Sequence, residues 1–386
     1  MEDKNKKHEN KELKVFGWAS FLNDFGSDII FPLWPIFLSS VMGANMAVIG
    51  LIDGLGDAIV SISQAVSGYY SDKIGKRKPF IWIGYIFAGL ARIGYALAPT
   101  WQYIIPFRVL DRTGKMRGAP RDAIIADIST PKNRGRNFGY LRMMDNLGAV
   151  CGVLFTILFF KSLGYKNIFL IAAVPSLIGS ALVFFAIKET KDGERKIFKG
   201  LAFRDFDGNM KLFFALSSIF ALSSFSYSFL LIFANHAGFS VVAIPVLYLT
   251  YSAVASATSI FFGKLADRIS RKSVLGISFV LWLFVCILLI SSQDFFVIIA
   301  AFILYGLHLG AIEPVQKAMV SELAPAHLRA STLGTFQMIV GLVALPSSVI
   351  AGLLWGAAGM LSPFYFSAAL TLIALVMLFF LKENKM

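Results

Sequence analysis

Apolar runs of 20 or more residues recur along almost the whole of this 386-residue chain, more than a soluble core of that length can hide from water. A helix needs about 20 residues to cross roughly 30 Å of hydrocarbon, whereas a barrel strand needs ~10 and alternates in polarity. The runs here are continuous, and hydrophobic residues make up 57% of the chain against 15% charged. The expected fold class is an all-α integral membrane bundle with the lipid bilayer as its solvent. Two cysteines, Cys151 and Cys286, both inside apolar runs, are too few for a disulfide framework or a four-ligand zinc site, so no metal is expected.

Twelve spans are predicted, at 14–38, 46–71, 79–98, 101–127, 135–160, 166–187, 210–234, 241–263, 272–291, 294–322, 329–355 and 361–381. They divide the chain into a tail (1–13), a six-helix bundle (14–187), a charged linker (188–209), a second six-helix bundle (210–381) and a short tail (382–386). The first 14 residues mix charges of both signs and lack the pattern of a signal peptide, so the N-terminus is expected to stay on the chain. Lys and Arg gather on one side: before the first span, at Lys73 to Lys78, Lys132 to Arg136, Lys188 to Lys211 and Lys264 to Lys272, at Arg329, and after the last span. Turns on the other side carry none apart from Lys161 and Lys166. Basic loops stay inside, which predicts a multi-pass protein of the cell membrane with both termini cytoplasmic. The net charge of +13 is then mainly an orientation signal, with some attraction to anionic lipid heads. Nucleic acid is not an expected partner, because no groove-reading module is present.

The chain repeats itself. Gly68-Tyr-Tyr-Ser-Asp72-Lys-Ile-Gly75-Lys76-Arg77-Lys78 has a second copy, Gly263-Lys-Leu-Ala-Asp267-Arg-Ile-Ser270-Arg271-Lys272, at an offset of 267 − 72 = 195 residues. Asp127, Arg134 and Gly139 recur at the same offset as Glu322, Arg329 and Gly334. Two like halves around an axis normal to the membrane place a cavity between them, with sites near the midplane. In this organisation and in its G-x-x-x-D-(R/K)-x-G-(R/K)-(R/K) loop, the chain resembles the major facilitator superfamily over residues 14–381; Ser270 replaces the second glycine in the C-terminal copy. The resemblance implies two six-helix pseudo-repeats, transport by alternating access, and function as a monomer. It also implies a cytoplasmic gate at Gly68, Asp72, Gly75, Lys76, Arg77, Gly263, Asp267 and Arg271, with Asp127, Arg134, Glu322 and Arg329 at the matching helix ends.

No phosphate-binding loop, dinucleotide fingerprint or H-E-x-x-H motif occurs, so the chain is expected to be neither an ATPase nor any other enzyme. Transport must draw on a gradient, without a cofactor, and a proton gradient is the expected source. The residues to examine are ionisable groups inside spans, which cost about 2.5–3.5 kcal/mol each at mid-helix. The first helix carries Ser20, Asp24, Ser27, Asp28 and Phe31 along one face, and the fourth carries Arg108, Asp111, Arg112, Lys115 and Asp122 on one stripe. Arg117 and Arg121 fall on the opposite side of an ideal helix, though Gly114, Gly118 and Pro120 argue against a straight one. Arg142 and Asp145 follow at i, i+3. The offset partners of Asp28, Arg108, Arg112, Arg142 and Asp145 are Ser223, Ile303, Leu307, Gln337 and Val340, so the polar machinery lies in the N-terminal half.

A rise of about 1.5 Å per residue puts Asp28, Arg108 and Arg112 at comparable depth, with Asp145 near the midplane. A carboxylate whose arginine partner moves away on rocking can change protonation, so Asp28, Asp24 and Asp145 are the candidate proton-coupling residues. The bland reading is a permanent ion-pair network, with Asp145 paired to Arg112. Candidate substrate or cavity residues are Arg108, Asp111, Arg112, Arg142, Asp53, Asp57, Gln64 and His308. Within the family, Arg108 and the residues after it loosely match the R-x-x-Q-G motif of proton-coupled members, with Asp111 and Arg112 in place of Gln and Gly. Gly148-Ala-Val-Cys-Gly152 is similar to the antiporter G-x-x-x-G-P pattern, with Val153 in place of Pro. The leading expectation is a proton-coupled transporter of a small, amphipathic or charged organic solute, with efflux slightly favoured. The alternatives are a divalent-metal exporter similar to ferroportins, disfavoured because the seventh and eleventh helices hold no Cys or His, an uncoupled uniporter or exchanger, and a non-transporting receptor.

Overall fold

The computed structural model describes residues 2–130, 133–189, 206–324 and 329–382, with side chains over 11–130, 133, 136–189, 206–324 and 332–382. Helices account for the regular structure throughout. The chain forms two compact units: one from residues 1–43 and 59–198, the other from 44–58 and 199–386. A single helix, α3 (Met46–Ile74), is shared between them. Most of the expected linker and of the C-terminal tail lies outside the described residues, as do the side chains of Arg134 and Arg329, whereas residues 2–13 of the expected N-terminal tail form the start of the first helix.

In the first unit, α1 (Glu2–Ile30) stops before Pro32 and continues, past the short α2 (Trp34–Ile36), as a π-turn at Phe37–Val41. Proline at Pro32 and Pro35 explains the break, since it lacks an N–H and crowds the preceding turn. α4 (Lys78–Leu97) follows, and then the expected span 101–127 appears in three pieces: α5 (Trp101–Thr113), a 3₁₀ segment (Gly114–Arg117) and α6 (Gly118–Asp127). The last helical run, α7 (Arg134–Ala186), is two helices joined at Gly164, whose φ of 67° favours glycine. Both parts touch α1. Gly148 and Gly152 meet the main chain at Phe21 and Phe25, and Gly179 meets Ala19, so the glycine spacing seen in the sequence is the close-packing ridge against α1. Phe16, Ala19, Tyr85, Ile125, Leu141 and Val183 form a fully buried core toward one end.

The second unit holds the first part of α3 with α8 (Gly208–Ser223), α9 (Tyr227–His236), α10 (Ile244–Arg268), α11 (Arg271–Ser291), α12 (Phe295–Leu323), α13 (Arg329–Ala358) and α14 (Ser362–Phe380). The expected seventh span is broken after Ser223, where the run Ser223-Ser224-Phe225-Ser226 offers hydroxyls that compete with helical hydrogen bonds. Phe220 stacks on Phe279 with ring centroids 4.0 Å apart, in a core completed by Trp282 and Tyr305.

By length and composition, nine helices among the described residues can cross a membrane. The difference from twelve expected spans falls where the chain is bent or charged. Arg136–Ala186 counts once but contains two expected spans, while α1 and the α5–α6 run carry the buried charges. Phe185, Phe296 and Phe379 are 82%, 81% and 77% exposed, as lipid-facing side chains would be.

Candidate functional site

The charged residues of the first unit do converge, in a register that the broken fourth span sets. Four residues at 3.0 per turn advance about 80° further than four at 3.6, so the 3₁₀ segment rotates α6 relative to α5. Gly84 of α4 and Gly114 press main chain to main chain there, which excludes a Cβ on either. The rotation turns Arg121 into the cluster. Its Nη1 donates to Ser20 Oγ at 2.7 Å and lies 3.5 Å from Asp145 Oδ1, while its Nη2 lies 3.0 Å from Asp122 Oδ1. Asp145 is shared, because Arg142 Nη1 stands 3.5 Å from its other oxygen. The pairing of Asp145 with Arg112 suggested by the sequence is therefore corrected: Arg112 Nε lies 3.7 Å from Asp111, and Asp145 belongs to Arg121 and Arg142. Arg142 itself is 66% exposed, so only its tip reaches the buried carboxylate.

Along α1, Asp28 is buried and Asp24 half-buried, the latter accepting from Asn23 Nδ2 at 2.9 Å. Beyond Asp28 the aromatic end of this strand of chain supports two guanidiniums. Arg108 lies over Trp34 at 4.5 Å, and Arg112 over Phe31 at 5.1 Å. Such stacking stabilises a desolvated cation by up to ~2 kcal/mol while leaving the edge of the fork directed elsewhere. Trp34 is wholly buried as the platform for Arg108.

The sequence reading missed Arg92. This arginine, 1% exposed in the second half of α4, donates to Ala172 O (2.7 Å), Ser176 Oγ (2.6 Å), Asn23 O (3.2 Å) and Ser27 Oγ (2.8 Å). It ties α1 to α4 and to the second part of α7, on either side of Asp24. A lone arginine in an otherwise apolar span was the available signal. Gln64 is half-buried beside Gly118, Asp57 is exposed, and Asp53 is buried in the second unit. His308 is 1% exposed, its Nδ1 2.9 Å from Ser278 Oγ, and packed by Trp282 and Phe220. That is a packed position in the helix core.

The two repeated loops are both built as ion-pair locks. Arg77 Nη2 bonds Asp72 at 2.9 Å, and its Nη1 bonds Asp127. Arg271 Nη2 stands 3.8 Å from Asp267, and its Nη1 bonds Glu322. Asp127 and Glu322, matched by the 195-residue offset, thus play the same part. The arginines do not match by offset, since Arg77 corresponds to Lys272 and Lys76, which is exposed, to Arg271. Gly75 takes a φ of 75°, whereas Ser270 is extended and caps α11 by accepting from Ser273 N–H at 3.1 Å, which accounts for the departure from glycine. Gly68 approaches Ala119, while Gly263 has open space around it. Burial opposes the charge on Arg77, but hydrogen bonds to Asp72 and Asp127 outweigh it and raise its pKa above the ordinary value. Glu189, also missed, accepts from the N–H groups of Arg77 (2.7 Å) and Lys78 (3.2 Å) and so caps α4.

The sequence pattern of the Major Facilitator Superfamily matches residues 16–248 and 212–385, which together span nearly the whole chain. The MFS-type transporter MJ1317 of Methanocaldococcus jannaschii is 36% identical over 389 residues, covering 98% of this chain and 96% of that one. The chain belongs to the Major Facilitator Superfamily. It is thus a multi-pass membrane transporter of small molecules, not an enzyme. The multidrug resistance protein MdtH of Escherichia coli K12 is 32% identical over 131 residues, 33% of this chain and 32% of that protein. Among solved structures, a bacterial homologue of the human lysosomal transporter Spinster, inward-facing and occupied, matches with a TM-score of 0.77 at 15% identity over 95% of each chain. The nucleoside transporter NupG matches at 0.76 and 15% identity, over 97% of this chain and 100% of that one. At these identities the likeness is one of fold.

Proposed function

We propose that this facilitator is a proton-coupled secondary transporter of a small amphipathic or charged organic solute, with Asp28 as the leading protonation site and Asp24 and Asp145 in the same relay. The observation that carries the reading is the sharing of buried Asp145 between Arg121 and Arg142, with Arg121 also holding Ser20 of α1. Buried charge at this density is expensive in a membrane and is kept where it does work. The network joins α1, α6 and α7, so a shift of α1 changes the surroundings of three carboxylates at once. Arg108 and Arg112, backed by aromatic rings, are the groups to meet an anionic or hydroxylated part of the solute. The partial similarity to MdtH supports efflux as the direction. A proton gradient supplies the energy with no bound cofactor. The working unit is a monomer in the cell membrane with both termini and both ion-pair loops on the cytoplasmic side, as the basic-loop pattern indicates.

The metal-exporter reading would need a donor cluster. Among the described residues no three His, Cys, Asp or Glu side chains gather in that way, which favours the organic solute. Proteoliposomes loaded with a pH dye and challenged with pooled organic cations, organic anions and divalent metals test the proposal. Proton movement should follow one organic pool and vanish in Asp28→Asn. Movement with the metal pool alone would replace this reading with the exporter.

A further inference from the structure

The spans of the first unit hold more positive than negative charge. Residues 16–43, 59–71, 79–97, 101–126, 137–160 and 167–186 contain seven Lys and Arg against five Asp. Protonation of any of the five acids would only widen the excess, and loss of the Lys115 proton would still leave one positive charge over. Unbalanced charge inside a membrane is expensive, so an excess of this kind calls for a counter-charge. The acids of the unit do not supply it. Arg121 and Arg142 share Asp145, and Arg121 also holds Asp122. Arg92 is held by carbonyls and hydroxyls, and Arg117 donates to Gly114 O at 2.8 Å while lying over the ring of Tyr85. Asp111 is within electrostatic reach of four cations, Arg112, Arg92, Arg108 and Lys115.

Arg112 is the member of this group with a donor to spare. Its side chain is nine-tenths buried, and its Nε makes no hydrogen bond among the described residues, standing 3.7 Å from Asp111. Phe31 covers one face of its guanidinium, as Trp34 covers one face of Arg108 a turn away on α5. A guanidinium backed by a ring keeps its N–H donors at the edge, in a flat fork. A carboxylate or a phosphorus oxyanion fits that edge with two parallel hydrogen bonds, and brings the missing negative charge with it. An ammonium meets repulsion there, and an alcohol adds no charge.

We propose that Arg112, with Arg108 beside it, binds a carboxylate, phosphate or phosphonate group of the solute, and that the substrate is therefore an organic anion. This rests on the reading of these two arginines as solute contacts and narrows the solute to one class, without using the coupling step. Thermal unfolding of the purified full-length protein in detergent tests it. Four probe pools are compared at equal ionic strength: organic carboxylates, organic phosphates and phosphonates, organic cations, and uncharged alcohols, with sulfate as the control for charge alone. One or both anion pools should raise the midpoint by a few degrees beyond sulfate, while cations and alcohols should not. Which anion pool acts distinguishes a carboxylate from a phosphorus oxyanion. Arg112→Gln should lose the shift, and Arg112→Lys should keep only a fraction of it, because an ammonium lacks the fork. Lys166→Gln, which removes an exposed charge near the Gly164 turn, should keep it whole. A shift from the cation or alcohol pool in place of the anions, an anion effect no larger than that of sulfate, or an anion shift undiminished in Arg112→Gln overturns the proposal. Should Arg112→Gln not fold, an Arg112→Lys indistinguishable from wild type toward the active pool overturns the site. Binding is read here without a proton gradient, so the two readings fail separately. Proton movement that follows the cation pool would keep coupling and defeat the anion site, and an anion shift without proton movement would do the reverse.

Discussion

Arg92 shows what a single residue contributes and why its role escaped the sequence. Its four partners are two carbonyls and two serine hydroxyls on two other helices, with no charged residue among them, so no charge pair at i, i+3 or i, i+4 betrays it. Removing the side chain takes the guanidinium from two helix carbonyls, Ala172 O and Asn23 O, and from the hydroxyls of Ser176 and Ser27. Arg92→Ala is expected to lose about 3 kcal/mol or more, and Arg92→Lys to recover little, because an ammonium cannot span the fork. Thermal unfolding in detergent checks both. Asp24, Asp28, Asp145 and the arginines of α5 and α6 were legible in the sequence because an ionisable group in an apolar span stands out whatever its partner. Which acid meets which base was not, since the 3₁₀ segment at Gly114–Arg117 rotates Arg121 into place and no periodicity argument carries through such a change of pitch.

At the scale of elements, the repeated loops were the most legible part of the molecule, because the 195-residue offset marks Asp127 and Glu322 as equivalents before any contact is known. The offset does not show that Arg77 and Arg271 are displaced by one place in the repeat, a consequence of Gly75 taking positive φ where Ser270 caps a helix. Gly75→Ala should cost about 1 kcal/mol by forcing a Cβ into that conformation, whereas Ser270→Gly should lose only a few tenths. Because Arg77 stays charged across the accessible pH range, its lock is opened through its acids. Asp127→Asn should therefore raise the leak of a reconstituted vesicle at every pH, measured as uncoupled dye release. The α1–α7 ridge gives a third expectation. Gly152→Val drives a side chain into the main chain of α1 at Phe25 and should destabilise by about 1–3 kcal/mol, with the Asp28 region displaced along with it.

For the whole molecule, hydropathy revealed the spans and their order, but not the breaks in the first, fourth and seventh, where proline, glycine pairs and a serine run interrupt apolar stretches without ending them. Those three breaks hold the aromatic supports of Arg108 and Arg112, the 3₁₀ segment that rotates Arg121, and Ser226, a partner of Asp53. Orientation follows from the basic loops. In a background with Cys151 and Cys286 replaced by Ser, an impermeant maleimide applied to intact cells should label a cysteine introduced at Asp294 and spare one at Lys76. The central claim is that the first unit's carboxylate–arginine network couples proton movement to solute movement. The most direct test compares, in one set of proteoliposomes, proton-driven accumulation and solute counterflow for wild type and Asp28→Asn. The account predicts that the variant loses accumulation and keeps counterflow. Accumulation undiminished in Asp28→Asn, or both activities lost while the variant remains folded, would contradict it.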